Sequence, residues 1–143
     1  MKENKNRSIF RKNIGRCILT KNKSNYLPLW ELDTTSRADK EKYLKQLDLD
    51  FEKKIEKTIS DYIQNNLSFS VFQVDTKEQR LYWESKIIST LAKSEELKPS
   101  KNWLGNYSTK DKIKSVGLWQ VNELFKSSLT EEEFEELKEL IQT

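Results

Sequence analysis

An apolar stripe at helical spacing is the sequence feature that most constrains the fold of this chain. The stripe predicts an amphipathic helix that buries one face against a neighbouring element. We expect this helical region to run from about residue 37 to residue 66, with an interruption near residues 48–50. The stripe consists of Phe51, Ile55, Ile59, Tyr62 and Ile63.

Other helices are predicted from apolar spacing and from N-terminal capping signals. Ser8 and Thr130 are candidate N-caps, and Thr130 has Glu133 three residues later, as in a capping box. Pro99 should end the helix that precedes it. The expected helices cover residues 8–19, a stretch from about residue 77 to before Pro99, residues 116–125 and residues 130–141.

Residues 68–74, with the sequence SFSVFQV, form the only convincing strand pattern in the chain. A lone strand is not a stable sheet, so this segment needs a partner strand. We therefore expect an α+β fold that is rich in helix and has a small antiparallel sheet, of which residues 68–74 are the one clear strand.

Length and composition restrict the class of protein and its chemistry. A chain of 143 residues predicts a single domain over residues 1–143. The absence of histidine and the single Cys17 exclude an internal disulfide and a Cys-rich zinc site. A bound metal would then be a hard ion held through oxygen, such as Mg²⁺ or Mn²⁺. We expect a cytoplasmic protein with no membrane partner, because no apolar run approaches the roughly 18 residues of a membrane span.

Glu84 lies near the centre of an apolar arc on the helix that begins at about residue 77. Burying an unpaired carboxylate costs roughly several kcal/mol. The position therefore predicts an Arg or Lys partner, a raised pKa, or a metal ion. The surrounding apolar residues are Leu81, Ile87, Ile88, Leu91 and Ala92.

The first part of the chain is strongly basic. Eight Lys and Arg side chains face only Glu3 between residues 2 and 23, whereas the C-terminal helix is strongly acidic. The basic segment could contact phosphates, or it could be ordinary solvated charge with some attraction to the acidic end. The candidate nucleic-acid-binding residues are Arg7, Arg11, Lys12 and Arg16.

The order of these features resembles the GIY-YIG nuclease family. In that family a small α/β domain carries a Tyr-bearing hairpin, an Arg on the first helix, a metal-binding Glu on a later helix and an Asn in a following loop. The likeness rests on SIFRK at residues 8–12, LYWES at residues 81–85 and SKNWLG at residues 100–105.

The resemblance implies Mg²⁺- or Mn²⁺-dependent hydrolysis of DNA, with no small-molecule cofactor. Glu84 would hold the metal, Arg11 would bind the scissile phosphate, and Asn102 would position Glu84 or its loop. Arg7 or Arg16 could be the true match for the phosphate-binding arginine. These groups would have to converge on one pocket.

One departure from the family is large, because the Gly-Ile-Tyr and Tyr-Ile-Gly motifs are absent. We therefore expect an N-terminally truncated GIY-YIG domain that cleaves DNA weakly or not at all. One alternative is a catalytically inactive module that binds DNA or protein. Another is a small helical scaffold whose acidic C-terminal helix docks a partner.

Overall fold

The computed structural model describes residues 4–142, which are organised as α-helices joined by loops and short 3-10 turns. The 3-10 turns cover Lys5–Arg7, Leu44–Gln46 and Leu104–Tyr107. No helix within residues 4–142 combines the length and the apolar character needed to cross a membrane. The α-helices are α1 (Ile9–Lys21), α2 (Leu27–Trp30), α3 (Arg37–Tyr43), α4 (Leu49–Asn66), α5 (Lys77–Lys93), α6 (Asp111–Val116) and α7 (Glu131–Gln142).

The predicted α+β fold class is wrong, because residues 4–142 contain no β-strand. Residues 68–74 form an irregular segment. Within the described part of the chain, this segment makes no backbone–backbone hydrogen bond. Phe69 is 90 % exposed and Val71 is 85 % exposed. The alternating pattern alone could not form a sheet, since a strand is stabilised by the hydrogen-bonded ladder to a second strand.

The predicted helical region over residues 37–66 is confirmed, including its interruption. It consists of α3 and α4, which are separated by the 3-10 turn at residues 44–46 and by Leu47 and Asp48, so the interruption lies slightly before the predicted residues 48–50. Asp48 caps α4 by accepting a hydrogen bond from the backbone N–H of Phe51 at 2.9 Å. Ile55 and Ile59 of the apolar stripe are buried, as the spacing predicts.

The helix predicted over residues 116–125 is wrong, since α6 ends where that helix was expected to begin. Gly117 follows α6 with a φ of +74°, a left-handed conformation that terminates the helix. Glu123 also has a positive φ, of 61°, so the chain after α6 turns irregularly instead of continuing as a helix.

The core is built around α1, whose residues 13–19 are all buried. Trp30 from α2, Ile59 from α4 and Leu104 from the 3-10 turn at residues 104–107 pack in the same cluster. Gly15 permits the contact with Trp30, because a Cβ at Gly15 would lie 2.3 Å from the indole Cζ2. The basic N-terminal helix is therefore the central helix of the core and not a solvated surface helix.

The polar side of α5 packs against the irregular segment 126–129. Ser89 Oγ donates to the backbone carbonyl of Ser127 at 2.7 Å, and Lys86 Nζ donates to that of Ser128 at 3.2 Å. Thr90 Oγ1 accepts from the backbone N–H of Leu129 at 2.8 Å. These bonds hold α5 by its polar side and leave its apolar arc partly uncovered.

Candidate functional site

Glu84 is exposed, although the sequence places it in the middle of an apolar arc. The helix that carries it begins at a capping box, in which Thr76 Oγ1 accepts from the backbone N–H of Gln79 at 3.1 Å and Gln79 Oε1 accepts from that of Thr76 at 3.3 Å. Leu81 is 51 % exposed and Leu91 is 37 % exposed, so the arc around Glu84 is not part of the core. The carboxylate therefore avoids the desolvation that its position in the sequence suggested.

Two residues of the apolar arc, Ile87 and Ile88, line a groove of about 490 Å³. Residues of the segment 70–74 and Gln120 also line this groove. Most of the lining is apolar, while Ser70, Arg80, Glu84 and Gln120 supply polar groups. The apolar lining consists of Val71, Phe72, Val74, Trp83, Ile87 and Ile88.

Glu84 and Arg80 line this groove without pairing with each other. They are four residues apart on α5, a spacing that brings side chains together on one helix face. The same order and spacing yields an ion pair of 3.1 Å in Arg37–Glu41. Neither Arg80 nor Glu84 makes an ion pair or a side-chain hydrogen bond with another described residue.

Arg80 was not among the candidates from sequence. The available signal was its position one helical turn before Glu84 on the same face of a single helix. The groove therefore contains a cation and an anion that have no partner among residues 4–142.

Arg11 is engaged in an ion pair between α1 and α4. Its Nη2 lies 2.7 Å from Glu56 Oε2, and its Nε donates to the same oxygen at 2.9 Å. Nη2 also donates to Ser60 Oγ at 3.0 Å. The side chains of Arg11 and Glu56 are only 15 % and 12 % exposed, so this guanidinium stabilises the contact between the two helices.

Arg16 and Lys12 are directed at Glu31. Arg16 is buried and forms a two-point contact, with Nε to Oε1 at 2.6 Å and Nη2 to Oε2 at 2.5 Å. These hydrogen bonds from Arg16 lower the pKa of Glu31. Lys12 Nζ donates to the Glu31 carbonyl at 2.9 Å, and burial lowers the pKa of this lysine. Arg7, in contrast, is exposed.

Asn102 is exposed in the loop that leads to the 3-10 turn at residues 104–107. A different amide holds this loop, since Asn106 Nδ2 donates to the carbonyl of Ser100 at 3.0 Å and to that of Lys101 at 3.1 Å. Leu104 is buried against α1 and anchors the turn.

The three predicted catalytic residues do not line one common groove. The groove that Glu84 lines contains neither Arg11 nor Asn102. Within residues 4–142 there is also no group of three or more His, Cys, Asp or Glu side chains that could hold a metal. Cys17 is fully buried, and this burial raises the pKa of its thiol to about 11, so it is not a ready nucleophile.

Comparison with known proteins identifies the class of the chain. A family model described as the GIY-YIG domain matches residues 2–143, and this family consists of nucleases. The chain belongs to the GIY-YIG domain family. Searches of curated proteins and of solved structures found no match.

Proposed function

We propose that this chain hydrolyses phosphodiester bonds in DNA with the help of a divalent metal ion bound by Glu84. The observation that carries the proposal is that a member of a nuclease family presents, on the wall of a groove, an exposed carboxylate that is unpaired within the described part of the chain. Because Glu84 has no partner among residues 4–142, its carboxylate offers acceptor positions to a cation, whereas Glu31 and Glu56 are already bound by arginines.

The residues around Glu84 fit a hard cation that keeps most of its water ligands. Mg²⁺ is usually bound by one or two carboxylates together with water and substrate phosphates, so a single protein carboxylate is sufficient. Such an ion supplies charge stabilisation at the phosphate oxygens. Gln120 and Ser70 lie in the same groove and could orient bound water.

The general base is the role for which the described residues offer the poorest candidate. The resemblance places this role on a tyrosine of a strand hairpin, and residues 4–142 contain no strand. Tyr82 lies on the helix of Glu84, but its hydroxyl donates to Glu133 and this bond raises its pKa. Positioned acid–base help is worth roughly 10²- to 10⁴-fold, so we expect this chain alone to nick DNA weakly.

The roles predicted for Arg11 and Asn102 remain predictions. Arg11 would have to give up its bonds to Glu56 and Ser60 before it could hold a phosphate. An inactive module that binds DNA through the basic helix faces the same difficulty, since Arg16 is also paired and buried. Both observations favour the groove on α5 as the place where the chemistry occurs.

The test uses Glu84→Gln with Glu78→Gln as a matched control, because Glu78 is an exposed carboxylate on the same helix outside the groove lining. Supercoiled plasmid nicking is measured with Mg²⁺ or Mn²⁺. Mn²⁺ binding is followed separately by paramagnetic broadening of NMR signals. We expect Glu84→Gln to abolish nicking and the broadening near the groove, and Glu78→Gln to preserve both. Equal nicking and broadening in the two variants would refute the metal role of Glu84.

A further inference from the structure

We infer that the groove between residues 70–74 and α5 receives one nucleotide whose base is unpaired, with Arg80 on its phosphate and the apolar lining against its base. This inference rests on the proposed nuclease function and specifies its substrate class. It predicts that the protein prefers single-stranded or locally unpaired DNA to continuous duplex.

The polar part of the groove matches a phosphate with a divalent ion. Arg80 offers a planar fork of donors to phosphate oxygens, and Glu84 offers a carboxylate to a cation. Their charges are opposite, yet the two side chains do not neutralise each other as Arg37 and Glu41 do at the same spacing. A phosphate with a bound metal ion would present a negative group to Arg80 and a positive one to Glu84.

The apolar part of the groove matches a base. Phe72 is half-buried and lines the groove beside Ile87 and Ile88. The volume of about 490 Å³ lies within the range of small-ligand pockets, roughly 300 to 1,000 Å³. A base that is stacked in a duplex cannot enter such a groove, whereas a base taken out of the stack can. Stacking on an aromatic side chain is favourable for any base.

The phosphate contact is tested by fluorescence anisotropy of a labelled single-stranded oligonucleotide. Ca²⁺ is used as the divalent ion so that binding is measured without cleavage. We expect Arg80→Gln to weaken binding about tenfold and to reduce the salt dependence by about one phosphate contact. Arg37→Gln is the matched control, because it removes the same charge from an exposed site outside the groove lining. Equal losses in the two variants would overturn the role of Arg80.

The base contact is tested with Phe72→Ala against Phe69→Ala. Both residues lie in the same segment, but Phe69 is 90 % exposed and does not line the groove. We expect the wild-type chain to bind the single strand at least about fivefold more tightly than the matching duplex, and Phe72→Ala to remove this preference. Circular dichroism checks the fold of each variant. A duplex bound as tightly as the single strand would overturn the inference.

The outcomes for the groove and for the nuclease function are separable. If Glu84→Gln abolishes nicking while Arg80→Gln and Phe72→Ala bind like their controls, the groove is not the nucleotide site and the nuclease proposal stands. If the chain neither nicks DNA nor binds Mn²⁺ while both groove variants lose binding, the nuclease proposal fails and the nucleotide site stands.

Discussion

Replacing Arg11 by glutamine separates a structural role of this residue from the phosphate-binding role that its sequence position suggests. In the folded chain its guanidinium bridges α1 and α4 through Glu56 and Ser60. Glutamine cannot reproduce the charge or the two bonds to the Glu56 carboxylate. The change therefore leaves a largely buried carboxylate without its cation.

The expected loss of stability follows from this geometry. Removing one partner of a buried ion pair costs roughly 3 to 5 kcal/mol. Two features favour the lower end, about 3 kcal/mol. The Glu56 side chain is still 12 % exposed, and the backbone N–H of Lys5 continues to donate to Glu56 Oε1 at 2.5 Å. The double variant Arg11→Gln/Glu56→Gln removes the orphaned charge and should recover most of the loss.

Urea unfolding followed by far-UV circular dichroism measures the free energy of unfolding of each variant, and the double variant completes a thermodynamic cycle. Arg37→Gln serves as the control, because the Arg37 and Glu41 side chains are 93 % and 70 % exposed. We expect that variant to lose less than about 0.5 kcal/mol. If Arg11→Gln unfolds at the wild-type urea concentration but loses metal-dependent nicking, the structural reasoning is wrong and Arg11 is a phosphate ligand.

Three other predictions concern packing, pH and association. Gly15→Ala should destabilise the chain by about 1 to 3 kcal/mol in thermal unfolding because its Cβ would collide with Trp30, and an unchanged melting temperature would contradict this. Lys86 and other donors lower the pKa of Glu133 from 4.5 to about 2, so its contribution to stability is present above pH 4.5 and is lost as the pH falls towards 2. The urea midpoint should therefore fall more steeply in the wild type than in Glu133→Gln over that range, and parallel curves would refute it. Phe69 and Val71 are 90 % and 85 % exposed, so this apolar surface should promote self-association at high concentration; light scattering should show less of it in Phe69→Lys, and a monomeric wild type would count against this.

Local signals in the sequence determined where several helices begin. Ser8 and Thr130, the two candidate N-caps, each accept a hydrogen bond from a backbone N–H in the first turn of the helix that follows. This information is local, because a cap and its donor are three residues apart. The apolar stripe of α4 also predicted which face of the helix is buried, since Ile59 is fully buried. Residues 68–74 show the limit of such reasoning, because alternation predicts a strand but cannot provide its partner.

The sequence by itself determined the residue types available for chemistry: no histidine, one cysteine and a glutamate surrounded by apolar residues. Only the tertiary structure decided which charged side chains form ion pairs with one another. Arg11 and Arg16 are paired with Glu56 and Glu31, which lie 45 and 15 residues away along the chain, and spacing alone does not predict such partners. The orientation of α5 was also decided by tertiary contacts, since Lys86 and Ser89 bond to backbone carbonyls of the 126–129 segment, which need donors. Those bonds hold the polar side of the helix inward and leave Glu84 and Arg80 facing an open groove.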